Sequence, residues 1–254
     1  MATGKKGDPS LIIGIGSGFG AILAGFLLEG GNPLALIGIS AMVIILGGVF
    51  GALVTSFSIG ETIGMLKGFT EGLMAPRRPS KALMESLLAM SDKSRKEGLL
   101  SLEGEIEDME DPFLKKGLRL VVDGTDSLTI THILETEVEV YENKQKRRIA
   151  IFEAAGGFSP TMGIIGTVTG LVLVLSHLGG DAGELGHSIA AAFIATLYGI
   201  GLANLVFLPT ANKLKNNMKT EIEYMMMMQA VVLSLQNGDS TAMFEAKVGP
   251  YIEG

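Results

Sequence analysis

Four stretches of this chain run without a single Asp, Glu, Lys or Arg: residues 10–28, 33–59, 154–180 and 185–212. Besides Tyr198, the last two hold only His177 and His187 as titratable groups. A helix of about 20 mostly apolar residues crosses a ~30 Å hydrocarbon layer, and all four runs are near or above that length. Soluble cores rarely string four such runs together, and a mean hydropathy of +0.41 agrees with a membrane chain. The sequence therefore reads as an all-α integral membrane protein with four transmembrane helices and a helical cytoplasmic domain. The expected divisions are 10–58 for the first two transmembrane helices, 59–153 for the cytoplasmic domain, 154–208 for the other two, and 209–254 for a helical cytoplasmic tail. Lys5 and Lys6 precede the first run as in a signal peptide. The run is long for such a segment, however, and residues 29–33 read as a turn rather than a cleavage site, so it is taken as a retained helix.

The basic residues orient the chain. Lys5 and Lys6 precede the first span, fourteen Lys and Arg lie from Lys67 to Arg148, and Lys213, Lys215, Lys219 and Lys247 follow the fourth span. All 20 thus fall on one side, which the positive-inside rule makes cytoplasmic for both termini and for the 59–153 domain. The outer loops hold Glu29, Asp181 and Glu184.

Within the cytoplasmic part, residues 61–74 are expected to continue span two as helix. Ala75-Pro-Arg-Arg-Pro79 ends it, because proline lacks an N–H and restricts its predecessor. Leu83, Leu87, Leu88 and Met90 have helical spacing over 80–97, and 112–122 reads as a short helix stopped by Asp123-Gly124. Asp126 or Ser127 can cap a long helix running into span three. Lys93, Arg95 and Lys96 precede an acidic run of Glu103, Glu105, Glu107, Asp108, Glu110 and Asp111. That run is either a solvated face or a surface that steers a charged partner. Lys144, Lys146, Arg147 and Arg148 read as headgroup anchors, and Met225 to Met228 as packing.

Inside the spans, Gly14-Ile-Gly16-Ser-Gly18-Phe-Gly20 is not a dinucleotide loop, since no strand precedes it and the third glycine position is Phe19. Gly16, Gly20 and Ala24, Gly47 and Gly51, and Ala191, Ala195, Gly199 and Ala203 form small-residue stripes for close helix packing, within one subunit or between subunits. Ser159, Thr161, Thr167, Thr169, Ser176, Thr196 and Tyr198 suit a polar path that lacks a carboxylate. If a cation moves here, another chain supplies the acid. Pro160 and Pro209, near the inner ends of spans three and four, permit bends. The net charge of −7 argues against nucleic acid, and the absence of cysteine excludes disulfides and thiolate metal sites. There is no HExxH, Walker loop or GxSxG, and His132, His177 and His187 are scattered, so neither an enzyme nor a metal site is expected.

Four stretches carry a family resemblance: Phe158-Ser-Pro160-Thr-Met-Gly163-Ile-Ile-Gly166-Thr167-Val-Thr-Gly170-Leu171; Ala191-Ala-Phe-Ile-Ala-Thr196-Leu-Tyr198-Gly199; Phe207-Leu-Pro209-Thr-Ala-Asn-Lys213-Leu214; and Asp92-Lys-Ser-Arg95-Lys96-Glu-Gly98-Leu-Leu-Ser-Leu-Glu103. In this order, and covering nearly the whole chain, they resemble the MotA family of flagellar stator proteins. The resemblance implies a multi-pass subunit of the plasma (inner) membrane that forms a ring, a homopentamer, around a dimer of a MotB-like partner. That partner would supply the membrane Asp and a peptidoglycan anchor, and ion flow would turn the ring against the rotor protein FliG. Membrane lipids complete the implied partners, and no cofactor is implied beyond the transported H+ or Na+. By motif match, Thr167 and Thr196 line the ion path, Pro160 and Pro209 couple torque, and Arg95 and Glu103 contact the rotor. The two threonines resemble sodium-type members such as PomA and MotP, whereas Ala195 replaces a second Thr found in some of them. The alternative is an ExbB- or TolQ-like energising subunit of an outer-membrane transport complex, which the uncharged run 33–59 after a first full span speaks against.

Overall fold

Helix starts and stops follow local capping chemistry throughout. In the computed structural model, which describes residues 7–177 and 182–252, the chain forms α1 (Ser10–Leu28), α2 (Ile39–Ser56), α3 (Ile59–Ile63), α4 (Met65–Gly72), α5 (Lys81–Glu97), α6 (Glu103–Glu107), α7 (Pro112–Val122), α8 (Ser127–Ser176), α9 (Ala182–Leu202), α10 (Leu208–Gln236) and α11 (Thr241–Val248). There is no β-strand among the described residues. Lys5, Lys6 and Asp181 of the sequence reading lie outside the described residues, as does the side chain of Glu184. The Ser80 hydroxyl accepts from Leu83 N–H to start α5. Asp111 caps α7 by accepting from Phe113 and Leu114, with Pro112 at the first helical position. Asp126 accepts from Thr129 at 3.0 Å and opens α8.

One local expectation is corrected. Residues 61–74 do not simply continue span two. Backbone in the extended region at Phe57 and Ser58 breaks the helix, and Ser58 with Glu61 forms a reciprocal capping box that starts α3 afresh.

The described chain forms two compact units. The first takes residues 7–73 and 146–215 and holds the apolar segments. Four helical segments are long and apolar enough to cross a membrane: Ser10–Leu28, Pro33–Ser56, and parts of Ser127–Ser176 and Leu185–Gln236. Their most apolar windows are only 6%, 22%, 17% and 22% buried. Segments that are this apolar and this uncovered belong in lipid or against other subunits rather than in water. The α2 face that is buried, Ala41, Ile45, Val49 and Leu53, repeats every four residues.

The second unit takes residues 74–145 and 216–252. Its core joins Leu87, Phe113, Leu118, Ile130, Leu134 and Phe244 to the α10 side chains Met227, Met228, Val231 and Val232. The methionine run thus packs as the sequence suggests, with Met226 alone turned outward.

Candidate functional site

Where α8 meets α9, glycine lets two backbones touch. A Cβ on Gly163 would lie 2.9 Å from the Ala195 carbonyl oxygen, and one on Gly199 would lie 2.7 Å from the Ser159 carbonyl oxygen. One turn and two turns further along α8, Gly166 faces the Ala195 methyl and Gly170 the Ala192 methyl. The α9 stripe read from sequence therefore packs within the chain, with Ala195, Gly199 and Ala203 buried. Nothing lies within 4 Å of the sites for a Cβ on Gly16, Gly20, Gly47 or Gly51, so the α1 and α2 stripes face outward.

This close approach carries Thr167 across to α9. Its hydroxyl lies 2.5 Å from the Thr196 hydroxyl, 3.0 Å from the Ala192 carbonyl and 3.1 Å from the Gly163 carbonyl. Four oxygens thus surround two hydroxyl protons, and two protons cannot occupy all their lone pairs. The surplus is acceptor capacity, hard and uncharged, suited to water or to a hard cation. Ser159, fully buried, donates to the Gly199 carbonyl at 2.9 Å and fastens the same seam. Thr161, Thr169 and Ser176 hydroxyls bond back to carbonyls of their own helix. The Tyr198 hydroxyl donates to the Leu36 carbonyl at 2.5 Å and accepts from Gly38 N–H at 3.3 Å, so it braces the α1–α2 connection.

Both prolines sit beside this seam. Pro160 lies inside α8, and the carbonyl it deprives of a helical partner is that of Gly156. Gly156 packs against Leu208, the residue before Pro209. Pro209 deprives Leu205, and a π-helical stretch Ala203–Phe207 stands there. The buried Thr210 hydroxyl donates to the Val206 carbonyl at 2.6 Å, adding a donor in that stretch.

The remaining candidates lie in the second unit. Arg95 is half-exposed on α5, 3.9 Å from Asp92 and within 3.3 Å of the Thr241 hydroxyl. Glu103 opens α6 exposed, and no ion pair joins it to Arg95 among the described residues. The acidic run is partly neutralised: Lys93 holds Glu105 at 2.5 Å, and Arg119 at 2.6 Å with Lys115 holds Glu107.

Sequence reasoning missed one cluster in this unit. Arg77 bridges Asp111 at 3.0 Å and Glu221 at 2.5 Å and stacks on Tyr224, whose hydroxyl donates to Asp111 at 2.6 Å. Burial would lower the Arg77 pKa, but Asp111 and Glu221 more than offset it and the value is raised. Burial and the Asp111 carboxylate push the Tyr224 phenol up. Asp111 was readable as a cap, but partners 144 residues apart leave no local signature. No group of three or more His, Asp or Glu able to hold a metal occurs among the described residues.

Comparison with known proteins decides the family. A sequence profile of the motility protein A N-terminal region matches residues 12–98, and one of the MotA/TolQ/ExbB proton channel family matches residues 105–227. Motility protein A of Bacillus subtilis is 37% identical over 96% of this chain and 91% of its own length. The chain belongs to the motility protein A family. The N-terminal match covers nearly all of α1 and the whole of α2, the part by which the sequence separates this family from the ExbB and TolQ types. Two MotAB structures are among those that contain similar chains. One is the flagellar MotAB stator complex from Bacillus subtilis, with TM-score 0.87 and 36% identity over 95% of each chain. The other is C. jejuni MotAB, with TM-score 0.90 and 28% identity over 96% of each chain.

Proposed function

We propose that this motility protein A family member is a stator subunit of the bacterial flagellar motor, forming a cation path with a MotB-like partner in the inner membrane. The observation that carries the ion path is the oxygen cluster of Thr167, Thr196, Gly163 and Ala192 in spans free of Asp, Glu, Lys and Arg. Such a cluster can pass or hold a solvated cation, but it has no group to take up a full charge. The acid comes from the partner's membrane helix. Thr167 and Thr196 line the path beside that acid, for H+ or Na+.

Both termini and residues 59–153 face the cytoplasm, on the side of the basic residues. The membrane parts are 10–58 and 154–208, and the tail 209–254 is cytoplasmic. Five copies ring the partner dimer. Each ion delivers about 2.3 kcal/mol per 100 mV, enough for a conformational step with no covalent chemistry or cofactor. Pro160 and Pro209, linked through Gly156 and Leu208, pass that step along α8 and α10. Arg95 and Glu103 meet the rotor protein FliG.

The test is expression with the neighbouring MotB-like gene in cells lacking stators, recording swimming speed against sodium at fixed pH and membrane potential. Speed that rises and saturates with sodium assigns the drive to Na+ and the two threonines to its path. Speed indifferent to sodium assigns it to H+. Failure to restore swimming at any ion concentration, with both chains present in the membrane, refutes the stator reading.

A further inference from the structure

Beside the restart of the helix after span two lies an apolar notch of about 440 Å³, within the size range of ligand clefts. Leu46, Phe50 and Leu53 of α2 form one wall, Ile63 and Leu66 of α3 and α4 another, and Phe207 closes it. Every lining side chain is apolar except Thr62, and its hydroxyl donates to the Ser58 carbonyl at 3.1 Å. The notch thus offers hydrocarbon and no free hydrogen-bonding side chain. Its rim faces outward: Phe50 is 53% exposed, and Ile59, Ile63 and Leu66 make an exposed apolar row at spacings of four and three along α3 and α4.

The charges at the same end are asymmetric. Glu71 is taken by Arg148, and Glu61 is held by Ser58 with Arg147 nearby. Lys67, one turn beyond Ile63, is exposed with no ion-pair partner among the described residues, and Arg147 is exposed. An apolar slot at the cytoplasmic third of a span, with the exposed Lys67 beside it and without an ion-pair partner among the described residues, matches one amphiphile.

We infer that the notch between α2 and α3–α4 binds an acyl chain of an anionic phospholipid of the cytoplasmic leaflet, whose headgroup meets Lys67, while Arg147 serves Glu61. This rests on the membrane orientation proposed above. Holding a lipid there would fix α3 and α4 against the end of span two, where the helix itself is broken.

The chain has no tryptophan and no cysteine, so single reporters can be placed. The complex with its MotB-like partner, carrying Phe50→Trp, is reconstituted in phosphatidylcholine bilayers containing a small fraction of brominated phosphatidylglycerol or brominated phosphatidylcholine. Fluorescence is read as the difference from the unsubstituted complex. The brominated phosphatidylglycerol should quench this reporter about fivefold more effectively, the worth of one basic side chain near an anionic headgroup. Lys67→Gln should bring the two lipids to near parity. Phe19→Trp on α1, at a residue 40% exposed, should report no preference. Leu66→Trp serves as a second reporter if the first variant does not assemble. Equal quenching at the notch by both lipids overturns the inference. So does no quenching there while the Phe19→Trp reporter is quenched, since a neighbouring subunit then fills the notch. Orientation is tested separately with Leu128→Cys, at a residue 83% exposed, and an impermeant thiol reagent on intact cells. Labelling from outside refutes the topology without bearing on the lipid preference, because the bilayers present both faces.

Discussion

Gly199→Ala puts the site geometry at risk with a single methyl group. Its Cβ would stand 2.7 Å from the Ser159 carbonyl oxygen and 2.9 Å from Gly163 Cα, both backbone atoms that no rotamer change can move. Carbon atoms settle at about 3.5–4.0 Å, so α8 and α9 must part by roughly half an ångström or more. Overpacking of this kind costs about 1–3 kcal/mol. It also stretches the bond from Thr167 to the Ala192 carbonyl, now 3.0 Å, past the ~3.0 Å upper limit for a hydroxyl donor, and takes the 2.9 Å bond of Ser159 to the Gly199 carbonyl past it too. Each such bond is worth about 0.5–1.5 kcal/mol net. The assay is swimming speed in cells lacking stators, paired with the thermal midpoint of the purified complex. Speed should fall steeply, with a midpoint lowered by several degrees. Gly201→Ala is the matched control on the same helix, because its Cβ would make an ordinary 3.8 Å contact with Phe19. Wild-type speed and ion response in Gly199→Ala would refute the claim that this close approach shapes the ion site.

Three further outcomes follow from the same reasoning. Arg77→Met leaves the Glu221 carboxylate, only 3% exposed, without its counter-charge, and breaking such a pair costs about 3–5 kcal/mol; thermal unfolding of the purified complex should show it, with Glu221→Met added to Arg77→Met recovering most of the loss. Thr167→Ala should weaken the ion response while the complex still assembles, and Thr167→Ser, which keeps the hydroxyl, should retain most of it; equal defects in both would make the residue a packing element. Arg95→Glu should slow rotation, measured by tethered-bead speed, and a charge reversal on the rotor should restore part of it; no effect would return Arg95 to a solvated face.

Much of the fold was legible because its punctuation is local. α7 runs from Pro112 to the stop at Asp123-Gly124 as the sequence suggests, and Ser80 and Asp126 mark the starts of α5 and α8. The break after α2 was also written in the sequence, as Ser58-Ile-Gly-Glu61, the spacing of a capping box. It was overlooked because the uncharged run continues through Ile59 and hydropathy outweighed the cap. The Thr167–Thr196 pair came from motif resemblance; helical phase alone places Thr167 one turn after Gly163 but cannot say which helix it faces. The Arg77 cluster was beyond reach, because its charges meet only once α7 and α10 have packed, and only there does their attraction offset the cost of desolvating them.

The two kinds of small-residue stripe also looked alike in sequence and parted in the structure. The α9 stripe is consumed by α8, whereas Gly16 and Gly20 on α1 and Gly47 and Gly51 on α2 meet nothing within 4 Å. Glycine in a helix interior costs about 0.5–1 kcal/mol relative to alanine, so four uncovered glycines are a standing cost for the chain alone. The first span is only 6% buried by its own chain. A sequence that accepts that cost on its outward faces, yet buries the glycines that shape the proposed ion site, divides its surfaces in two. The inner seam is complete within one subunit, and the outer faces are finished by whatever surrounds it in the membrane.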